Sequence, residues 1–258
     1  MKTNFLVVGT QRGGTATLNG CLTQHPQVCV ATDTELAFFD QDEAFARGTP
    51  NYNGYHKQFA IHSDHVAIGE CASNYMYWQD CVPRIYRYNS EVKIIALIRN
   101  PIDRAYSHWQ TEYANGNENS DFVDAINLEG YRLRTMGKRG QHKTFSYIDR
   151  GLYSYQIEHL LQYFDPHQLL FIKSEDFKDN TSVMLYRIFD FLNVPYIEVE
   201  EAAQNVGNYS KSMDPSVRNE LIEIFRRDIY RVEELLGWNC NDWLKPHEVK
   251  VPKRELVS

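Results

Sequence analysis

The stretch Gly9 to Thr17, GTQRGGTAT, puts three glycines, three threonines and an arginine directly behind an apolar run. Glycines let a backbone come close to an anion, and the amides of a helix start point at it with the equivalent of roughly half a positive charge. Arg12 adds a full one. The spacing from Gly9 to Gly14 is that of the nucleoside-triphosphate loop G-x-x-x-x-G-K-[ST], but Thr15 stands where the lysine belongs. A second basic station lies in LIRNPIDRAYSHW. There Arg99 offers a planar fork of donors suited to a phosphate dianion, and Ser107 adds a hydroxyl. Arg99 also occupies the strand end where a triphosphate enzyme would keep a magnesium-binding acid. Both departures suggest an anion held by protein charges without a metal, and two stations suit a ligand with two separated anionic groups. Each segment also reads as scaffold: the first as a glycine-rich turn, the second as an arginine paired with a surface acid.

Positioning these residues requires strands that end at them. Candidate strands are NFLVV (4–8), VAIGE (66–70), VKIIALI (92–98) and LLFIK (169–173). Short continuous apolar runs are the form taken by parallel strands covered on both faces. Helices are expected from about Thr15 to Gln24, from Pro101 onward, over 153–164, and from Pro215 to Leu236, where apolar residues recur at three- and four-residue spacing. Alternation of strand and helix gives an α/β fold, a mostly parallel central sheet flanked by helices. Ligands of such sheets bind beyond the carboxyl ends of the strands, where both stations fall. The chain reads as a single domain, 1–258. Residues 115–147, polar and glycine-rich, read as a mobile insertion, and 246–258 as a loosely packed tail.

The segment FLVVGTQRGGTATL resembles the 5′-phosphosulfate loop of sulfotransferases that use 3′-phosphoadenosine 5′-phosphosulfate (PAPS), and KIIALIRNPIDRAYSHW resembles their 3′-phosphate motif. ELAFFD (35–40) is similar to the segment carrying the catalytic glutamate in the heparan-sulfate-type branch. Weaker similarity runs through RGLYSYQIEHLLQYFDPHQLLFIKSEDF and the closing LLGWN. The resemblance implies the P-loop-like sulfotransferase fold, PAPS as donor and PAP as product, without a metal. It implies that Arg12, Gly13, Gly14, Thr15, Ala16 and Thr17 hold the phosphosulfate, that Arg99 and Ser107 hold the 3′-phosphate, and that Glu35 is the general base. Arg12 would stabilise the leaving phosphate. The adenosine-side K-G-R loop survives only as VGN, so contacts from Gly207 and Asn208 are the residual expectation there. The lysine that often follows the glutamate of the EKTP-like segment is Cys71 here. His62, His65 and His108 are the histidines that could replace or assist Glu35, although His108 also reads as a packing residue.

A net charge of −7 disfavours a general nucleic-acid binder. Five cysteines without a C-x-x-C pair disfavour a disulfide framework or zinc site. No signal peptide and no apolar run of membrane length is apparent, so a cytoplasmic enzyme is expected. Asp33, Glu35, Asp40, Asp42 and Glu43 would repel a polyanion if they bordered the acceptor cleft, which makes a glycan acceptor the less favoured one. Tyr52, Tyr55, Tyr75, Tyr77 or Trp78 could stack on a cation. The expected acceptor is therefore a small neutral or cationic molecule, such as a guanidinium-bearing natural product. The alternatives are a nucleotide kinase on a similar scaffold and a non-catalytic PAP-binding protein.

Overall fold

The computed structural model describes residues 2–32, 36–46, 48–200 and 212–246. Five strands, β1 (Phe5–Gly9), β2 (Val28–Val30), β3 (Ala67–Cys71), β4 (Lys93–Ile98) and β5 (Leu169–Lys173), form one parallel sheet in the order β2-β3-β1-β4-β5. The longer helices are α1 (Thr15–Leu22), α4 (Cys81–Tyr88), α5 (Pro101–Ala114), α6 (Phe122–Thr135), α7 (Tyr153–Tyr163), α9 (Thr181–Leu192) and α10 (Pro215–Leu236). Short helices α2 (Asp42–Ala46), α3 (Tyr52–His56) and α8 (Ser174–Asp179) fill the connections.

Central β1 is buried throughout, and its side chains alternate between two cores. Phe5 and Val7 pack with Ile95, Leu97 and residues of α1 and α9. Leu6 and Val8 face the other way, toward Ile94, Ala96, Ile98 and residues of α4, α5, α7 and α10. Each such side chain contributes roughly 1.5–3 kcal/mol when fully buried, which is why apolar residues fill consecutive positions of the strand.

Both stations enter helices at the carboxyl edge of this sheet. Asn100 caps α5, its Oδ1 accepting from the amide of Ile102 at 3.0 Å, and Pro101 opens the helix where no amide hydrogen is needed. The segment 115–147, expected as a mobile insertion, contains the 14-residue helix α6. Arg132 of α6 forms an ion pair with Glu118, and Glu129 accepts the backbone amides of Tyr147, Ile148 and Asp149. Of the expected tail, residues 247–258 lie outside the described residues.

Candidate active site

Between β1 and α1 the chain folds tightly over the end of β4. The Thr10 amide and hydroxyl both donate to the Leu97 carbonyl, at 2.8 and 2.9 Å, and the Gly13 amide donates to the Thr10 carbonyl at 2.8 Å. Ser174, just past β5, donates its hydroxyl to the Gly13 carbonyl at 2.6 Å. A Cβ on Gly13 would lie 2.6 Å from Thr10 Oγ1 and 2.8 Å from the Leu97 carbonyl oxygen, so the turn admits glycine alone without shifting. Gly14 caps α1 with φ at 99°, a left-handed conformation that glycine adopts freely. Gly14 has no side chain with which to cap α1, and the first turn of the helix holds no acid. The amides of Thr15, Ala16 and Thr17 thus stand at a positive helix end suited to an anion.

The second station meets the first directly. Arg99 Nη1 donates to the Arg12 carbonyl at 2.9 Å, and Arg12 Nε donates to Ser107 Oγ at 3.0 Å. Tyr153, buried at the start of α7, holds the Arg99 carbonyl through its hydroxyl at 2.9 Å. Arg12, Gly13, Gly14, Thr15, Ala16, Thr17, Arg99 and Ser107, far apart in sequence, therefore come together. Glu35, Gly207 and Asn208 lie outside the described residues. Thr10, Tyr153 and Ser174 were not read from the sequence; a lone hydroxyl past a strand end carries no spacing that would single it out.

Residues 72–78 pack against residues 141–151. The Met76 amide donates to the Val8 carbonyl at 2.8 Å, which lays this segment against the end of β1. Arg150 is buried, with its guanidinium 4.3 Å from the Tyr77 ring centroid, while the Tyr77 hydroxyl donates to Asp149 at 2.7 Å. Burial holds the Arg150 guanidinium down at about 10 and raises the Asp149 carboxyl. His108 is fully buried in α5, and desolvation, then the charges of Arg150, Arg104 and Arg12, push its imidazole well below its ordinary range. Burial in α5 and these charges disfavour its protonated form. His62 and His65 precede β3, at the amino edge of the sheet, away from the anion loop.

Some of the acids and rings named for the acceptor side have partners within the protein. Asp42 is paired with Arg84 at 2.7 Å and Lys138 at 2.6 Å, and Asp40 with Lys143 at 3.2 Å. Those acids are neutralised by the protein. The aromatic rings are likewise committed: Tyr55 stacks on Phe38, Tyr75 and Tyr55 donate to Glu70, Arg150 covers Tyr77, and Lys143 covers Trp78. Tyr52 packs against Tyr88. Cys71 ends β3 as a buried thiol, raised by desolvation and by the neighbouring Glu70 carboxylate, so it behaves as an apolar residue. All five cysteines are buried, and none forms a disulfide among the described residues.

Comparison with known proteins agrees with this architecture. The family model described as "Sulfotransferase domain" matches residues 2–221. A solved sulfotransferase from Alicyclobacillus acidocaldarius is 26% identical, superposes with a TM-score of 0.79, and matches over 95% of this chain and 100% of its own. The sulfotransferase domain from the curacin biosynthetic pathway, at 13% identity and TM-score 0.54, shares the fold. Among curated relatives, the membrane-associated sulfotransferase kil1 of Dictyostelium discoideum is 20% identical over 91% of this chain. Human bifunctional heparan sulfate N-deacetylase/N-sulfotransferase 3 is 26% identical over 77% of it. The chain spans 65% and 23% of the lengths of those two relatives. With a matching model over most of its length and a superposable solved relative, the chain belongs to the sulfotransferase domain family.

Proposed function

We propose that this protein transfers a sulfuryl group from PAPS to a hydroxyl or amine of a small acceptor. The observation that carries the proposal is the run from Arg99 through Arg12 to Ser107, set against the glycine-capped start of α1. It offers two guanidiniums, a hydroxyl and a helix end to one doubly anionic ligand. The glycine-only turn at Gly13 and the absence of acids in the first turn of α1 fit such a ligand.

When bound, PAPS supplies a sulfuryl group whose in-line departure leaves charge on a phosphate oxygen. Arg12 and the amides of Gly14 to Thr17 would stabilise that charge, and loss of one donor in comparable sites costs about 3–4 kcal/mol. Arginine keeps its proton, so Arg12 acts electrostatically. Arg99 and Ser107 would grip the 3′-phosphate, with the Tyr153 hydroxyl holding the Arg99 backbone in place. Glu35 is the proposed general base on the strength of its match to the family segment. This reading sets no charge requirement on the acceptor, because Asp40, Asp42 and the rings of Tyr77 and Trp78 have partners within the protein.

Calorimetry with PAP tests the donor site. Wild-type protein should bind PAP, and Arg99→Glu should weaken binding by at least about 100-fold, since it removes a charge-assisted pair and adds repulsion. Unchanged affinity in that variant would refute the assignment. Incubation with labelled PAPS and a cell extract, followed by mass spectrometry for an added sulfonate, then identifies the acceptor.

A further inference from the structure

A closed polar ring ties three distant segments together beside the anion loop. Lys143 Nζ lies 3.2 Å from Asp40 Oδ1 and donates to the Asp40 carbonyl at 3.2 Å. Asn74 Nδ2 donates to Asp40 Oδ2 at 2.6 Å, and Asn74 Oδ1 accepts from Arg150 Nη1 at 2.8 Å. Arg150 Nη2 completes the circuit by donating to the Lys143 carbonyl at 2.9 Å. Asp40 and Arg150 are 5% and 2% exposed, so each depends on this bonding for its charge.

The ring has a fixed polarity. Asn74 must give a hydrogen to a carboxylate on one side and take one from a guanidinium on the other, which an amide does with no net charge. A carboxylate at position 74 would face Asp40 at hydrogen-bond distance. The location is equally specific. Two residues beyond Asn74, Met76 bonds to β1 next to the anion loop. Asp40 follows the proposed base Glu35 by five residues, and Phe38 and Phe39 between them are buried in the core.

We propose that Asn74 is a positioning residue for the acceptor side: by bridging Asp40 to Arg150 it fixes the chain leading out of Glu35 against the end of β1. This rests on the sulfotransferase reading above. Misplacement by about 1 Å can cost up to 10²-fold in rate without loss of binding at a separate subsite.

A charge-swap cycle tests it. Asn74→Asp alone sets two carboxylates face to face, and Asp40→Asn alone leaves one acceptor where two are needed, so its NH2 group must oppose either the Asn74 NH2 group or the Lys143 ammonium. Combined, the amide nitrogen now at position 40 donates to the carboxylate at 74, which still accepts from Arg150, while the amide oxygen at 40 still accepts from Lys143. Turnover is read as sulfuryl transfer from 4-nitrophenyl sulfate to PAP, which forms PAPS and releases coloured 4-nitrophenolate. Each single substitution should lower kcat by about tenfold or more with PAP affinity within about twofold of wild type, and the pair should recover to within about threefold. Amide exchange of residues 36–46 gives a reading independent of turnover: faster in each single variant, restored in the pair. Singles that match wild type in both kcat and exchange, or a pair no better than the singles, would overturn the proposal. Failure of wild-type protein to bind PAP would refute the donor assignment instead, and the exchange cycle would still decide the ring.

Discussion

Arg12 holds a backbone conformation that an arginine rarely adopts, with φ at 66°. For a side-chain-bearing residue this costs about 1–2 kcal/mol, and glycine would adopt it freely. The guanidinium returns part of that through its bond to Ser107, worth about 0.5–1.5 kcal/mol. Strain kept at a charged residue in an anion loop is consistent with a side chain retained for binding. Arg12→Gly should therefore leave stability nearly unchanged, since relief of strain, loss of the Ser107 bond and added freedom of the unfolded chain nearly offset. A Tm within about 4 °C of wild type, together with at least a tenfold loss of PAP affinity, is the expected pair of results. Calorimetry showing full PAP affinity in this variant would remove Arg12 from the donor site. The general features of this loop were legible in sequence because glycine, arginine and spacing all bear on one chemistry. Thr10 and Ser174 were not, since their roles depend on carbonyls that only the fold brings near.

Helix α6 shows how composition can hide an element. Its sequence FVDAINLEGYRLRT carries Gly130 in mid-helix among polar residues, so the segment reads as an insertion. Its stability comes from distant partners, and Glu129 is the main one, taking three consecutive amides at 2.7–3.0 Å. Helix α4 is not among the helices expected from the sequence, although Pro83, as its third residue, needs no amide partner. By contrast β5 and α10 have the bounds that apolar pattern and flanking prolines indicate. Burial drives the Glu129 carboxyl up to about 7, even against its amide donors. A raised acid stabilises the fold below its unfolded value near 4.3 and loses that contribution as pH rises through about 7. Wild-type stability should therefore carry a loss of roughly 4 kcal/mol across that window from this group. Glu129→Gln should remove the loss, so that the difference in unfolding free energy between the two proteins changes with pH between 5 and 8. Urea titrations at pH 5.5 and 8 that show a constant difference would contradict this.

At the scale of the molecule, the sheet gathers loops from four strands to one edge, and the segment after α10 closes that edge beside β5. Gly237 ends α10 in a left-handed conformation, and the chain turns back to bury Cys240 and Trp243 completely. Lys173, the last residue of β5, donates to the Asn239 carbonyl at 3.1 Å and to Asp242 at 2.9 Å, and lies over the Trp243 ring. The next residue, Ser174, holds the Gly13 carbonyl of the anion loop. Packing of Trp243 is thus linked through two adjacent residues to the turn that would hold the donor. The acids near Asp40 teach the converse lesson: their partners Lys138 and Lys143 lie about a hundred residues away, so the sequence displayed the charges and concealed their neutralisation. Trp243→Ala should cost about 3–5 kcal/mol in urea unfolding, the range for emptying a buried aromatic site. If the link through Lys173 and Ser174 holds, PAP affinity should fall as well, by a few-fold, under conditions where the variant remains folded. A stability loss below about 1 kcal/mol would mean that the fold does not depend on this closing segment. A full stability loss with unaltered PAP affinity would separate the closing segment from the anion loop and confine Trp243 to a packing role.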